Sequence, residues 1–398
     1  MSRVLPKSPV PLWRPVHADP KDYFSAEEVA RSKAYQRPLQ YSKLASFAVN
    51  GAEIVILIWL KAAPRFIRWT GIGGWTLQLL ALIGAFVVID AVVNLPVMLF
   101  RYRHDKIWNF ETRGAGLVVS DTVKNTIVSA VVFSAVFLPI WALVRWTRLW
   151  WLLGAVVLLV VTGSLVALSP ALNRLFNKFT PLEDQALRTR LLDLAARAGA
   201  HVTEIKVMDA SKRTRKDNAF FSGLGKTKEI VVFDNLLEMG HEPVEVVVAH
   251  EIGHWRRKHS LMFVFLSAVT GPAVLGVAAL FVRWDALMRW GGVTGGGARA
   301  EGNPAAFPIL LLGAGVGFGV VTFITLWFSR WLERNADLDA LDLTRDIDGF
   351  RSVWRQMNER NLPDLDPSWW ARIRASHPLI AERLRFGDLW AQGNGRRV

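Results

Sequence analysis

Residues 250–254 read His250-Glu251-Ile252-Gly253-His254, an H-E-x-x-H pattern. On a helix, positions i and i+4 share one face a turn apart, so both imidazoles could hold one Zn²⁺ from the same side. Glu251 follows the first histidine and can reach a water on such an ion as general base, the chemistry of peptide-bond hydrolysis. Histidine is scarce, 8 of 398 residues, so an accidental match has a probability on the order of a percent. Val244, Val246, Val247, Val248 and Ala249 form an apolar lead-in that places the motif in a buried setting. A catalytic zinc takes three protein ligands and keeps one position for water. The chain has no cysteine, which excludes thiolate ligands, a cysteine nucleophile and disulfides. The third ligand must then be His, Asp or Glu. Glu333, a turn past the last long apolar run, is the best-placed candidate; a solvated helix charge is the alternative. Asp337 lies at i+4 from it, on the same helix face, where it can orient a ligand.

The elements that must position these residues are largely apolar. The chain is 52% hydrophobic, with mean hydropathy +0.24. Six runs are long enough to cross roughly 30 Å of hydrocarbon as helices. They are Leu44–Leu60, Trp75–Phe100, Thr126–Val144, Leu149–Leu168, Leu261–Val282 and Phe307–Phe328. Many of the 18 tryptophans sit at run ends, among them Trp59, Trp75, Trp146, Trp150, Trp284 and Trp327; indole rings favour the headgroup level. The first 43 residues have no apolar core of the kind a cleaved signal peptide carries. A net charge of +14 is expected to face anionic lipid rather than nucleic acid.

Five stretches follow. Residues 1–43 are a polar arm and a helix, with Ser25 a candidate cap for Asp22–Gln36. Residues 44–168 carry four spans, the last two joined by a tight turn at Arg145–Arg148. Residues 169–260 are a soluble segment. There Thr180, Pro181 and Glu183 predict a helix start with a capping box, and Gly199 a helix end. Val202–Met208 reads as a strand, and Asn218–Leu224 with Glu229–Phe233 as a hairpin turning at Gly225–Lys228. Residues 261–328 carry two spans, separated by a glycine-rich stretch, Gly291–Gly302, expected to be a flexible loop. Residues 329–398 hold the third ligand candidate and a basic tail with a helix around Ile380–Trp390. The fold class expected is mainly α: a polytopic bundle of about six spans, with an α+β metallopeptidase segment, together enclosing a chamber. Glu53 and Asp90 fall inside the first two spans, where a carboxylate either pairs with a base or lines a wet cavity.

Six spans put the N-terminus, 101–124, 169–260 and the C-terminal tail on one side, as a metal shared by His250, His254 and Glu333 requires. That side carries Arg3, Lys7, Arg14, Lys21, Arg31, Lys33 and more, so the positive-inside rule predicts a cytosolic active side.

Several blocks resemble the type 1 CAAX prenyl protease family of integral-membrane zinc metallopeptidases. They are LFNKFTPLED (Leu175–Asp184), NAFFSG (Asn218–Gly223), HEIGHWRRKH (His250–His259), the S-R-x-x-E-x-x-A-D pattern from Ser329 to Asp337, and SHPLIAERL (Ser376–Leu384). YFSAEEVARSKAYQ fits as well, so the resemblance covers about Tyr23 to Leu384. It implies one Zn²⁺ per chain on His250, His254 and Glu333, with Glu251 as base. It further implies that Asn218 contacts substrate backbone beside a strand edge, that His377 stabilises the oxyanion, and that Arg383 pairs with Asp337. The implied substrate is a peptide or protein, prenylated or not, met at a bilayer, in a bacterial cell membrane. Two departures stand out. The span that precedes Y-F-x-x-E-E in longer members is absent from this sequence, and Asp339 replaces an expected aromatic. The rival functions are quality-control proteolysis of unprenylated membrane proteins, and a transporter or scaffold with a structural zinc; against the latter, Glu251 has no use in a structural site.

Overall fold

The computed structural model describes residues 11–200, 202, 204–222, 229–295 and 297–396. Ser25 caps α1 (Ala26–Trp59): its Oγ accepts from the Glu28 amide, and Glu28 returns to the Ser25 amide at 2.7 Å. This helix runs unbroken through Pro38 and across position 43, so the polar helix and the first apolar run are one rod. A short α2 (Ala62–Thr70) follows. The single span expected over Trp75–Phe100 is two helices, α3 (Trp75–Val93) and α4 (Leu95–Ile107). Pro96 lacks the amide that would continue α3, and the chain restarts at Leu95. α5 (Ala115–Trp146) and α6 (Trp150–Arg174) form the expected hairpin.

The polar segment builds a four-stranded sheet. Its strands are β1 (Phe179–Pro181), β2 (Ile205–Met208), β3 (Ala219–Ser222) and β4 (Glu229–Phe233), in the order β1-β2-β4-β3. β2 and β4 are parallel and the outer pairings antiparallel. Here the structure corrects the helix start predicted at Thr180. Thr180 and Pro181 belong to β1, paired with Val207 and Lys206; proline is tolerated there because β1 is an edge. α7 (Gln185–Arg197) is capped instead by Asp184, whose Oδ1 accepts from the Leu187 amide at 2.9 Å. The hairpin is present as β3 and β4; its turn at Gly225–Lys228 lies outside the described residues, as does Thr203 of the predicted strand Val202–Met208.

α8 (His241–Arg256) carries the H-E-x-x-H motif, and α9 (His259–Val282) enters the bilayer directly behind it. The glycine-rich stretch predicted as a flexible loop follows α10 (Asp285–Trp290) and takes in α11 (Ala298–Glu301); of its described residues, Val293 and Ala300 are buried against the bundle, while Thr294, Gly295 and Gly297 are exposed. Trp141 and Arg145 both donate to the Gly302 carbonyl, at 3.2 and 3.0 Å; the buried indole needs an acceptor, and this segment supplies it. α12 (Phe307–Thr344) then runs from the bilayer into the polar half without a break at 328. α13 (Ile347–Asn361), α14 (Trp369–Ile373) and α15 (Ile380–Gly393) complete the chain.

Among the described residues six helices are long and apolar enough to cross a membrane: α1, α3, α5, α6, α9 and α12. Two cores result. One lies among the spans, around Leu79, Ile140, Trp141, Ala278 and Phe307. The other packs the sheet, α7, α8 and α13 around Leu191, Ile230, Val248, Leu338 and Phe350. α12 belongs to both, and its contacts explain several glycines. A Cβ on Gly313 or Gly317 would stand 2.7 or 2.8 Å from the backbone of Ala278 or Val274 in α9. This is the close helix approach that small residues four apart allow in a bilayer. A Cβ on Gly253 of α8 would meet the α12 backbone at Ala336 at 3.0 Å.

The even number of spans is matched by contacts between distant segments. Tyr23 donates to Asp388 at 2.6 Å, Tyr35 to Asp105 at 2.7 Å, Lys216 to Tyr35 at 2.6 Å and Arg334 to the Leu12 carbonyl at 2.6 Å. The arm, the 101–124 connection, the sheet and the tail thus meet on one side. Within the spans, Asp90 accepts from Asn94 at 3.0 Å, and both oxygens of buried Glu53 lack a hydrogen-bond partner. Among the described residues neither carboxylate pairs with a base.

Candidate metal centre and active site

α8 begins after Gly240, whose φ of 91° suits glycine, and its Val-rich face sinks into the polar-half core. This fixes the rotation of the helix, so that His250 and His254 emerge on the face turned toward α12. Glu333 projects from α12 between them. His250 Nε2 and His254 Nε2 are 3.1 Å apart. Glu333 reaches them at 3.3 Å (Oε2 to His250) and 3.4 Å (Oε1 to His254). Two ligands of a tetrahedral ion with bonds of about 2.0–2.1 Å stand about 3.3–3.4 Å apart. Each imidazole thus has a carboxylate oxygen at that spacing, and one ligand atom from each of the three residues lies within 4.8 Å of the others, close enough to share one ion. Glu333 Oε2 is also sealed from solvent, with the His250 ring beside it. A buried carboxylate facing two imidazole nitrogens calls for a cation, and the donor set of two nitrogens and one carboxylate suits zinc.

The surroundings fix which nitrogen is free to bind. Nδ1 of His250 lies 3.0 Å from Asp337 Oδ1; donating its proton there leaves Nε2 with a lone pair toward Glu333. Asp337, fully buried, is held in turn by Arg383, whose Nε donates to Oδ2 at 2.9 Å and whose Nη2 donates to Oδ1. The Arg383 guanidinium lies on the Trp354 ring, 3.4 Å from its centre. For His254 the partner is another histidine. Its Nδ1 faces His259 Nδ1 at 2.7 Å, and His259 is 2% exposed. With Nε2 of His254 turned to the trio, Nδ1–H must donate and His259 Nδ1 must accept.

Protonation follows these contacts. Burial opposes charge on His250, but the hydrogen bonds to Asp337 and Glu333 outweigh it and carry the ring up to about 9. An ion taking Nε2 displaces that proton. Burial, with the charge of His250, brings His254 down to about 4. Burial pushes Glu251 up to about 7, with Glu333 adding to the rise and His250 and Arg383 opposing it. The Phe221 amide donates to the Glu251 carboxylate. Phe221 lies on β3, at the sheet edge. The Phe233 amide bonds the Asn218 carbonyl at 3.0 Å; with alternation along the antiparallel pair, the amides of Ala219 and Phe221 point away from β4. β3 is thus the outer strand of the sheet beside Glu251, with its Phe221 amide on that carboxylate and its Ala219 amide on Asn218 Oδ1.

Of the residues singled out in the sequence, His250, His254, Glu333, Asp337 and Arg383 form one connected cluster. His377 joins it, with Nε2 3.4 Å from Glu333 Oε1 and Nδ1 2.8 Å from Ser376 Oγ. Asn218 stands at the head of β3, its Oδ1 accepting from the Ala219 amide at 2.9 Å; among the described residues no hydrogen bond ties it to the cluster. Sequence reasoning missed His259 and Trp354. His259 closes the HEIGHWRRKH block and was open to notice as a third histidine at i+5; Trp354 has no local signal. Asp339, the departure from the aromatic, is fully buried and binds Arg257 Nε at 2.5 Å and Arg256 Nη1 at 3.3 Å, tying the end of α8 to α12.

The chain as a whole is similar to known proteins. Residues 181–389 match the sequence profile of peptidase family M48, and residues 12–178 that of the CAAX prenyl protease N-terminal region, described as five membrane helices. The chain belongs to peptidase family M48. Four helices of bilayer-crossing length fall within the second match here. "Uncharacterized metalloprotease YhfN" of Bacillus subtilis is 26% identical over 387 residues, 93% of this chain and 88% of that protein. "Probable CAAX prenyl protease 1" of Schizosaccharomyces pombe is 33% identical over 221 residues, 54% of this chain and 44% of that protein. The crystal structure of Ste24p from S. mikatae superposes with a TM-score of 0.79 at 24% identity, covering 95% of this chain and 93% of that one. Family, spans and fold together make this chain an integral, multi-pass membrane metalloprotease, similar to the CAAX prenyl proteases.

Proposed function

We propose that the metal is a single Zn²⁺ held by His250, His254 and Glu333, and that the site cleaves peptide bonds with Glu251 as general base. The observation that carries this is the trio itself, two imidazole nitrogens 3.1 Å apart with the two oxygens of one buried carboxylate 3.3 and 3.4 Å from them. When bound, zinc supplies Lewis acidity to the attacking water and to the scissile carbonyl. Glu251 takes the proton of the water and passes it to the leaving amine nitrogen. His377, on the open side of Glu333, donates to the oxygen that gains charge. An extended peptide adds to the outer edge of β3, with Asn218 at the head of that strand reaching its backbone. Asp337 and Arg383 hold His250 in the tautomer that leaves Nε2 free.

The likeness to CAAX prenyl proteases supports a protein substrate cut near its C-terminus at a bilayer, with Glu53 and Asp90 in the wall of a chamber between the spans. The excess of Lys and Arg on the arm and the 101–103 segment supports a site facing the cytosol of a bacterial cell membrane. The test is turnover of one peptide, farnesylated and unfarnesylated, by wild type and Glu251→Gln in detergent. The reading expects zinc-dependent cleavage, faster on the farnesylated form, lost in the variant with zinc retained. Wild-type rates from Glu251→Gln would overturn the base assignment. Equal cleavage of both forms would point to quality-control proteolysis instead.

A further inference from the structure

α12 keeps a stripe of large apolar residues outward: Val320, Phe323, Ile324 and Trp327 are 43–65% exposed. They fall at i, i+3, i+4 and i+7, one face of a helix, and this face meets lipid. One piece of the polar half lies against that stripe. It is α14, a single turn capped by Ser368, whose Oγ accepts from the Ala371 amide at 3.3 Å. Its first two residues are Trp369 and Trp370, 71% and 43% exposed, ring against ring at 5.2 Å. The Trp370 ring also meets Phe323 at 6.2 Å.

Depth follows from helix geometry. Phe323 is five residues inside the apolar run that ends at Phe328, so Trp370 reaches about 7–8 Å below that end at 1.5 Å per residue. Interfacial helices bury their apolar face about 5–10 Å, and indoles favour that level. So short a helix does not hold itself together in water.

The same segment leads to the active site. Arg330, three residues beyond Trp327, donates from Nη1 to the Ile373 carbonyl at 3.3 Å and the Ala375 carbonyl at 2.5 Å. Ser376 and His377 follow at once. The His377 side chain is 62% exposed, so its place depends on the chain that delivers it.

We propose that Trp369 and Trp370 form a bilayer anchor, seated at the headgroup–acyl boundary beside α12, and that this seating positions His377 over the metal centre. The first half stands on the exposed indoles and the continuity with the lipid-facing stripe. The second half rests on the role of His377 given above. Positioning through a lipid-seated loop makes the chemical step sensitive to the bilayer, while zinc binding by α8 and α12 is not.

The chain has no cysteine, so single nitroxide labels can be placed on the full-length protein in liposomes. Trp369→Cys is compared with Phe318→Cys, 63% exposed on α12, and Thr189→Cys, exposed on α7. The expected result is collision with oxygen over a water-soluble nickel chelate close to that of Phe318→Cys and several-fold above that of Thr189→Cys. A ratio equal to that of Thr189→Cys overturns the anchor, whatever the role of His377. For the second half, Trp369→Ser with Trp370→Ser is expected to lower kcat several-fold in liposomes with KM and zinc content unchanged. Trp369→Tyr with Trp370→Tyr, which keeps amphipathic rings, is expected to restore it. Unchanged kcat in the serine variant overturns the positioning half, and a change in KM alone overturns it in favour of substrate contact.

Discussion

His254 and His259 meet Nδ1 to Nδ1 at 2.7 Å, and His259 is buried. Only one arrangement of protons suits a His254 that turns Nε2 to an ion: His254 donates and His259 accepts. His259 thus does for His254 what Asp337 does for His250. Orienting partners of metal-bound histidines are worth about ten- to a hundredfold in affinity. His259→Leu, which keeps the bulk and removes the acceptor, is expected to weaken zinc binding within that range in a chelator-competition titration. Wild-type affinity would remove His259 from the site.

Arg383 grips buried Asp337 on both oxygens. Removing one partner of a buried pair leaves an uncompensated charge and costs about 3–5 kcal/mol. Arg383→Leu is therefore expected to lower the thermal midpoint and the zinc content together. Adding Asp337→Asn, which removes the charge and retains an oxygen for His250, is expected to recover part of both. No recovery in the double variant would contradict this reading of the pair.

Gly253 sits inside the motif for a steric reason. A Cβ there meets Ala336 Cα and Asp339 Cβ at 3.0 Å and the Ala336 carbonyl at 3.1 Å. Gly253→Ala must push α8 from α12, and with it the histidines from Glu333. A loss of about 1–3 kcal/mol in stability is expected, with weaker zinc binding. An alanine variant of normal stability and affinity would show that the two helices have room to spare.

The proposed role of Glu251 as base needs the carboxylate form, and burial pushes its pKa up to about 7. Below its pKa the proton sits on the base, so kcat/KM rises with pH through an acid limb. A bound dication favours the ionised form and moves the limb down, so the limb is expected at or below about pH 7. A rate that falls as pH rises from 5 to 7 would contradict the assignment.

Much of this was legible because the chemistry is local. H-E-x-x-H needs only helical spacing, and the bilayer demands long apolar runs, so the motif and all six spans were visible in the sequence. Glu333 was found by requiring an acid on the right side of the last span. What was missed depended on tertiary neighbours. Thr180 and Pro181 carry every local mark of a helix start, yet pairing with Val207 and Lys206 made them a strand. Pro96 was hidden in an apolar run. Gly291–Gly302 looked loose because its glycines masked Val293 and Ala300, which the bundle buries. Gly313 and Gly317 acquire meaning only once α9 is known to cross them. Trp354 matters through Arg383, which lies 29 residues further along the chain.

The central claim is that Glu333 completes a metal site begun by two histidines of one helix. It is tested most directly by elemental analysis of purified wild type and Glu333→Ala in the same detergent. The account predicts about one zinc per chain in the wild type and little or none in the variant, with both proteins folded by circular dichroism. Equal zinc in the two proteins would contradict it.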